Sequence, residues 1–358
     1  MAESSSNSNN ITNVTALSSA AYYQTDQNGH QSQSTSGNAG TGSSLNPVLS
    51  KEAQRRLKKK QDLLSEVQNK NISFEYWSGA TLVAWLELWV GMPQWYVAAC
   101  KNNVKSGAIM ASLSDNEIQV EIGITNALHR LKLKLAIDDM IKLTAQAGQP
   151  SVSKNSSSQL WLTHEELKAI SVSQRALNLA HGSMNHQWVG YEWLPSLGLP
   201  QYQQAFMENL VDSRMLEHLT KKNFRNNLGM HDNLHRRSIT SGILCLKHLN
   251  YSKKELDRRR NQVNQTIGLD ENGPGGPAYL MVWSNQKLQR WAVNLGLREY
   301  SSNLHESGIH GALLCFDDKF LAKELCIAMK IPSSDYKSRK ILTEAYQKLV
   351  SKPSNINV

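Results

Sequence analysis

Cysteine is scarce in this chain, with four in 358 residues, and Cys100, Cys245, Cys315 and Cys326 form no C-x-x-C pair. A disulfide framework and a thiolate zinc cluster are both excluded on that count. No apolar run reaches the roughly 20 residues a membrane span needs. The strongest, Thr81 to Met92, is shorter and contains Glu87. The first residues carry neither a basic n-region nor an apolar h-region, so the start does not read as a signal peptide. Alternating β-branched runs are missing too, which argues against a sheet protein. Catalytic signatures are equally thin. No P-loop, G-x-S-x-G or G-x-G-x-x-G is present, and His164-Glu165-Glu166 fails the H-E-x-x-H pattern because Lys168 stands at the second histidine position. Charged residues are only 19%, with 39 Lys and Arg against 30 Asp and Glu, a formal charge of +9. This balance permits an acidic protein face, a nucleic acid or an anionic membrane as partner, and selects none of them. A non-catalytic, cofactor-free intracellular protein is expected.

Composition divides the rest. Residues 1–50 are rich in Ser, Asn, Gln and Gly and almost uncharged, a segment expected to be a disordered tail because it has too little apolar area to offset chain entropy. Residues 51–72 read as a basic helix with Ala53, Leu57, Leu64 and Val67 on a narrow apolar stripe, expected to dock on the block that follows; the competing reading is a nucleic-acid or membrane contact through the clustered Arg55-Arg56 and Lys58-Lys59-Lys60. Three apolar blocks then occupy 73–144, 186–251 and 279–350. They are separated by a linker at 145–185 and by a charged stretch with a Gly/Pro cluster at 252–278, and 351–358 is a polar tail. The charged stretch Lys253 to Arg260 is expected to extend the preceding helix.

The blocks repeat one template. Trp77, Trp188 and Trp283 open them. Trp85, Trp193 and Trp291 follow, at separations of 108 and 98 residues. Val90-Gly91-Met92, Leu197-Gly198-Leu199 and Leu295-Gly296-Leu297 come next, then Tyr96, Tyr202 and Tyr300. Ser114 and Thr220 are good helix N-caps, and Glu117 completes a capping box with Ser114. Leu113 with Ile118, and Leu219 with Phe224, hold hydrophobic-staple positions. Gly123 and Gly229 fit the left-handed residue that ends a helix, where the third block has Lys330. His129-Arg130 and His235-Arg236 open a long amphipathic helix, with Ser338-Arg339 in their place in the third block. The repetition of the His at one position points to a helix-start role. Cys245 and Cys326, on apolar helix faces, are expected to be core thiols.

These residues resemble the sterile alpha motif (SAM) domain. Three in tandem, with Trp85-Leu86-Glu87-Leu88-Trp89-Val90-Gly91-Met92-Pro93 and Asn185-His186-Gln187-Trp188, are similar to the C-terminal half of the liprin-alpha scaffolds. The resemblance implies an all-α chain of three five-helix bundles with additional linker helices. It implies a presynaptic or cell-junction location on the cytoplasmic side. Its implied partners are the kinase-like domain of CASK, LAR-type receptor tyrosine phosphatases and liprin-beta.

Within the linker, Thr163 and Glu166 make a capping box that Leu162 and Leu167 can staple, leaving Trp161 without a local partner, so that it either packs on a domain core, which composition favours, or awaits a partner as an anchor. The resemblance makes the segment Trp161, Leu162, Thr163, His164, Glu165, Glu166 and Leu167 the CASK-binding insert, with Trp161 as its anchor. SAM domains also associate by setting the start of a last helix against an acidic mid-domain loop. Arg130, Arg236 and Arg237 are the candidates for the first surface. Asp212 and Glu217, and Asp317 and Asp318 in the third block, are candidates for the second, while Lys101 and Lys105 make the first block a poor acidic face. Self-association through these surfaces is the corresponding expectation. The competing reading is RNA binding by Arg130, Lys132, Lys134, Arg236 and Arg237. Its weakness is that Leu128, Leu131, Leu133 and Leu135 make the same helix largely core.

Overall fold

A computed structural model describes residues 50–145, 174–265 and 277–350. The tail at 1–49, the Trp161 to Leu167 segment, residues 266–276 and the tail at 351–358 lie outside the described residues. Within them all regular structure is helical, in keeping with the all-α expectation. No described helix is long and apolar enough to cross a membrane. The chain divides into two compact units: one runs to Ile124 and resumes at Ile137, and the other takes Thr125–Ala136 with the later repeats.

In the first unit, α1 (Lys51–Asn69) starts at Ser50, whose hydroxyl accepts the Ala53 N–H at 3.2 Å. Its stripe, Leu57, Leu64 and Val67, is buried against α2 (Gly79–Trp85), and Lys60 pairs with Glu87 just beyond it. Ser78 caps α2, and a π-helical turn, Leu86–Val90, carries the chain to Gly91 at φ 69°. Next come α3 (Gln94–Asn103), α4 (Gly107–Ser112) and α5 (Asp115–Val120). The Ser114–Glu117 capping box forms at the start of α5, and Gly123 after it adopts φ +76°. Buried Phe74, Trp77 and Trp85 meet in tilted and edge-on geometry, with ring centroids 5.1–6.4 Å apart. The long helix α6 (Ala127–Ala145) gives its first part to the second unit.

The second unit holds two repeats in one element order. A short helix at 174–180 precedes α7 (His186–Trp188), a π-helical turn and a turn of helix over Leu194–Ser196. Then follow α8 (Gln203–Glu208), α9 (Lys221–Asn226), α10 (Asn233–His248) and α11 (Lys253–Gln265). The third repeat comprises α12 (Asn285–Asn294), α13 (Arg298–Ser301), α14 (Gly311–Phe316), α15 (Ala322–Ala328) and α16 (Tyr336–Val350). Trp193, Phe206, Leu216, Phe224, Ile239 and Leu246 share one core. Leu288, Trp291, Leu304, Leu313, Leu325 and Leu342 share the next. Cys245 and Cys326 are buried, as expected of core thiols.

Two expectations need correction. Lys253 to Arg260 does not extend α10. Asn250 and Tyr251 both take left-handed φ, 48° and 55°, which stops the helix, and α11 starts afresh with Ser252 accepting the Glu255 N–H. Trp188 is not the equivalent of Trp77 and Trp283. Those two immediately precede the caps Ser78 and Ser284, whereas Met184 precedes the cap Asn185 and Trp188 lies three residues inside. Composition drew the eye to tryptophan, but the cap sets the register.

One capping box escaped the sequence pattern because it uses Asn223, not Glu or Gln, against Thr220. In the third repeat Lys330 adopts φ 55°, the conformation that Gly229 adopts at 63°. An L-residue there costs about 1–2 kcal/mol. Lys330→Gly should therefore raise the stability of the third repeat by about 1 kcal/mol, seen as a higher thermal midpoint.

Candidate interaction surfaces at the starts of the last helices

Each long last helix opens on an Asn or Asp cap. Asn126 Oδ1 accepts the Leu128 N–H at 2.8 Å, Asp232 Oδ1 the Leu234 N–H at 2.6 Å, and Asp335 Oδ1 the Ser338 N–H at 3.0 Å. With these caps aligned, His129, His235 and Ser338 occupy one position, and Arg130, Arg236 and Arg339 the next. The repeated Arg has a local task. Arg130 Nη1 donates to the Thr125 carbonyl at 2.8 Å, and Arg236 Nη1 to the Met230 and His231 carbonyls at 2.9 and 2.6 Å. Both guanidinium groups fold back on the turn before their own helix. The histidines diverge. His235 Nδ1 shares a hydrogen bond with the Tyr202 hydroxyl at 2.9 Å within its own repeat, while His129 Nε2 donates 2.9 Å to the Glu208 carbonyl of the second repeat. Burial lowers the pKa of both rings and favours the neutral imidazole.

Residues 125–136 pack on the second repeat. Leu128 belongs to its core, with Leu131 and Leu135 packed against it. At the centre lies Lys132, fully buried, with its Nζ 3.6 Å from Asp212 Oδ2 and 3.2 Å from both His186 Nδ1 and the Leu210 carbonyl. Arg214 Nε stands 3.4 Å from the same Asp212 oxygen. Two cations thus approach one carboxylate oxygen. Desolvation pushes the Lys132 pKa down to about 8, with Asp212 opposing the shift. Burial, and then the Lys132 charge, keep His186 neutral.

The second and third repeats meet in a related way. From α10, Arg237 reaches Asp317 at 2.5 Å through Nε and Glu324 at 3.1 Å through Nη1. Those bonds raise the guanidinium pKa above its ordinary value. His310 Nε2 donates to the Ser238 carbonyl at 3.1 Å, and burial drives its pKa down to about 3. The Gly308 N–H donates to the Gly198 carbonyl at 2.8 Å, and His248 stacks on Phe316 with an interplanar angle of 4°. Helix α11 adds a strap: Arg260, from which burial takes some basicity, donates to Ser196 Oγ at 2.9 Å and to the Val282 carbonyl at 3.3 Å.

The candidate contact residues are thus placed as follows. Arg237 is brought to Asp317, and Asp212 to Lys132, a partner that sequence reasoning assigned to RNA. Arg130 and Arg236 serve their own turns. Glu217 is held by Arg175 at 3.0 Å, Lys247 at 3.0 Å and the Tyr251 hydroxyl at 2.5 Å. Burial works to raise its pKa, but these partners hold it below the usual carboxylate value. Asp318 is exposed. Of the five cations invoked for RNA, Lys132 is buried, Lys134 is half-buried, Arg237 is paired, and Arg130 and Arg236 are bonded to backbone. The Trp161 to Leu167 segment lies outside the described residues. Sequence reasoning missed His310 and Arg260 as junction residues, since neither stands in a repeated motif. Among the described residues no group of three His, Cys, Asp or Glu side chains is arranged to hold a metal ion.

The sterile alpha motif domain model matches residues 75–140 and 183–247. The third repeat has capped helix starts at Ser284 and Asp335 and left-handed turns at Gly296 and Lys330. Liprin-alpha-4 of Rattus norvegicus is 50% identical to this chain over 308 residues, 84% of the chain and 28% of that protein. Liprin-alpha of Caenorhabditis elegans is 48% identical over 297 residues, 83% of the chain and 23% of that protein. Kazrin of Homo sapiens is 36% identical over 269 residues, 75% of the chain and 30% of that protein. The chain thus spans between a fifth and a third of the length of these relatives. On these similarities, and on the helical repeats that underlie them, the chain belongs to the liprin-alpha family.

Proposed function

We propose that this chain is a non-catalytic scaffold that binds other proteins through helical surfaces, at presynaptic active zones or cell junctions on the cytoplasmic side. Its partners are the kinase-like domain of CASK-type scaffolds, LAR-type receptor tyrosine phosphatases and liprin-beta. The observation that carries the reading is the use of helix starts as docking elements. Residues 125–136 sit on the second repeat through His129 and Lys132, and α10 sits against the third through Arg237. Helix starts that dock in this way have the chemistry to dock on other proteins. The identity to liprin-alpha proteins supports the choice of partners. The CASK site is the segment from Trp161 to Leu167, with Trp161 as a buried aromatic anchor of the kind that dominates interfaces.

Calorimetric titration of the chain with the CASK kinase-like domain tests this. Trp161→Ala should weaken binding by about 2–4 kcal/mol while leaving thermal stability unchanged. Equal binding by parent and variant would remove Trp161 from the site. No binding by either would remove CASK from the partners.

A further inference from the structure

Helix α1 has a second face that the docking of its apolar stripe leaves open. At 100° per residue, Lys51, Arg55, Lys58 and Lys59 fall within about 100° of arc, opposite Leu57, Leu64 and Val67. All four are exposed, while the three apolar residues are buried. The neighbouring cations are already spent, Arg56 on Glu52 and Lys60 on Glu87. Among the described residues, Lys51, Arg55, Lys58 and Lys59 have no hydrogen-bond or ion-pair partner. They form a strip about 12 Å long at the helix N-terminus, where the backbone adds partial positive charge. Asp62 and Glu66 confine it to the first half of the helix.

We propose that this strip binds the surface of an anionic lipid bilayer, and that α1 thereby sets the first repeat on a membrane. The side chains between the four cations are polar or charged, apart from the docked Ala53 and Leu57 on the far face. The strip thus lacks the apolar centre that a protein interface is built around. No aromatic side chain lies on α1, so it offers no stacking platform of the kind single-stranded nucleic acid uses. A straight row of unpaired cations on a convex helix matches a flat, diffuse negative charge. Lys and Arg near such a surface contribute almost independently of exact geometry, within a Debye length. The docked stripe holds the row at a fixed orientation.

Vesicle flotation with the full chain tests the proposal. Vesicles of phosphatidylcholine alone are compared with vesicles containing phosphatidylserine, at low and at physiological salt. The parent should bind only the anionic vesicles, and less at higher salt. Neutralising the strip (K51Q, R55Q, K58Q and K59Q together) should lower the partition coefficient on the order of a thousandfold. A control variant loses the same charge from the second unit, at exposed Lys221, Lys222, Lys319 and Lys348. It should bind like the parent. Circular dichroism checks that both variants keep their helices, which the exposure of every substituted position leads us to expect. Equal losses in the two variants would overturn the proposal in favour of net charge alone. Binding to a labelled single-stranded RNA that depends on the strip, with no binding to anionic vesicles, would overturn it in favour of a nucleic acid.

Discussion

Replacing Asp212 by Asn should lower the stability of the second unit by about 3–5 kcal/mol, because it leaves Lys132 fully buried without the carboxylate charge that it faces at 3.6 Å. Asn retains the oxygen that accepts the Arg214 N–H at 3.0 Å, so the loss reads the charge and not the turn. An exposed acidic loop would give a change within about 0.5 kcal/mol, and urea unfolding separates the two outcomes. Lys132→Met has the opposite expectation. It removes a buried cation and leaves the Asp212–Arg214 pair in place, so stability at pH 7 should be unchanged or higher by about 1–4 kcal/mol.

The pH dependence supplies a second check on Lys132. Burial lowers its pKa in the fold to about 8, against an ordinary value of 10.5. Between those values the unfolded chain binds a proton that the folded chain does not, so this residue's contribution to stability rises with pH across the window. Two thiols act in reverse: desolvation raises buried Cys100 and half-buried Cys315 to about 12, so alkali favours their unfolded thiolates. The difference between parent and Lys132→Met isolates the lysine. It should be largest near pH 7 and shrink as the pH rises from 8 to 10.5. A difference that does not change with pH would refute the buried charge.

Gly311→Ala should cost at least about 4 kcal/mol and unfold the third repeat at moderate temperature. A Cβ at Gly311 would stand 1.8 Å from the Leu280 carbonyl oxygen and 2.7 Å from Trp283 Cβ, and at Gly107 1.6 Å from the Phe74 carbonyl oxygen. Both glycines donate their N–H to the residue before a cap, Trp283 and Trp77, at 2.9 Å. The backbone cannot yield there without breaking that bond. Gly296→Ala is the comparison. Its added Cβ would have nothing within 4 Å, so only the φ of +83° is strained, at about 1–2 kcal/mol. Thermal unfolding of both variants should show the buried glycine to be far the more sensitive. The second repeat has Ser213 at this place, with its N–H 3.2 Å from the Met184 carbonyl, so the close approach is particular to the first and third repeats.

The comparison of His129 and His235 shows how far the sequence reaches. A helix start at each was legible from the repeat, and the Asn and Asp caps enforce it. That one ring serves its own repeat and the other crosses to the next was not legible, because both have the same local neighbours. Arg236 and Arg237 make the same point one residue apart. Adjacent positions on a helix differ by 100°, so one folds onto its own turn and the other faces Asp317.

The sequence by itself determined what is local or periodic: the helical class, the repeat, the capping box at Ser114, the left-handed glycines and the docking stripe of α1. Each follows from residues within one or two turns of one another. Only the tertiary structure decided which charges are spent and which are left. It buried Lys132 and Asp212 together, paired Arg237 with Asp317, and left Lys51, Arg55, Lys58 and Lys59 exposed. Charge energies depend on burial and on partners distant in the chain, and no spacing rule in the sequence contains either.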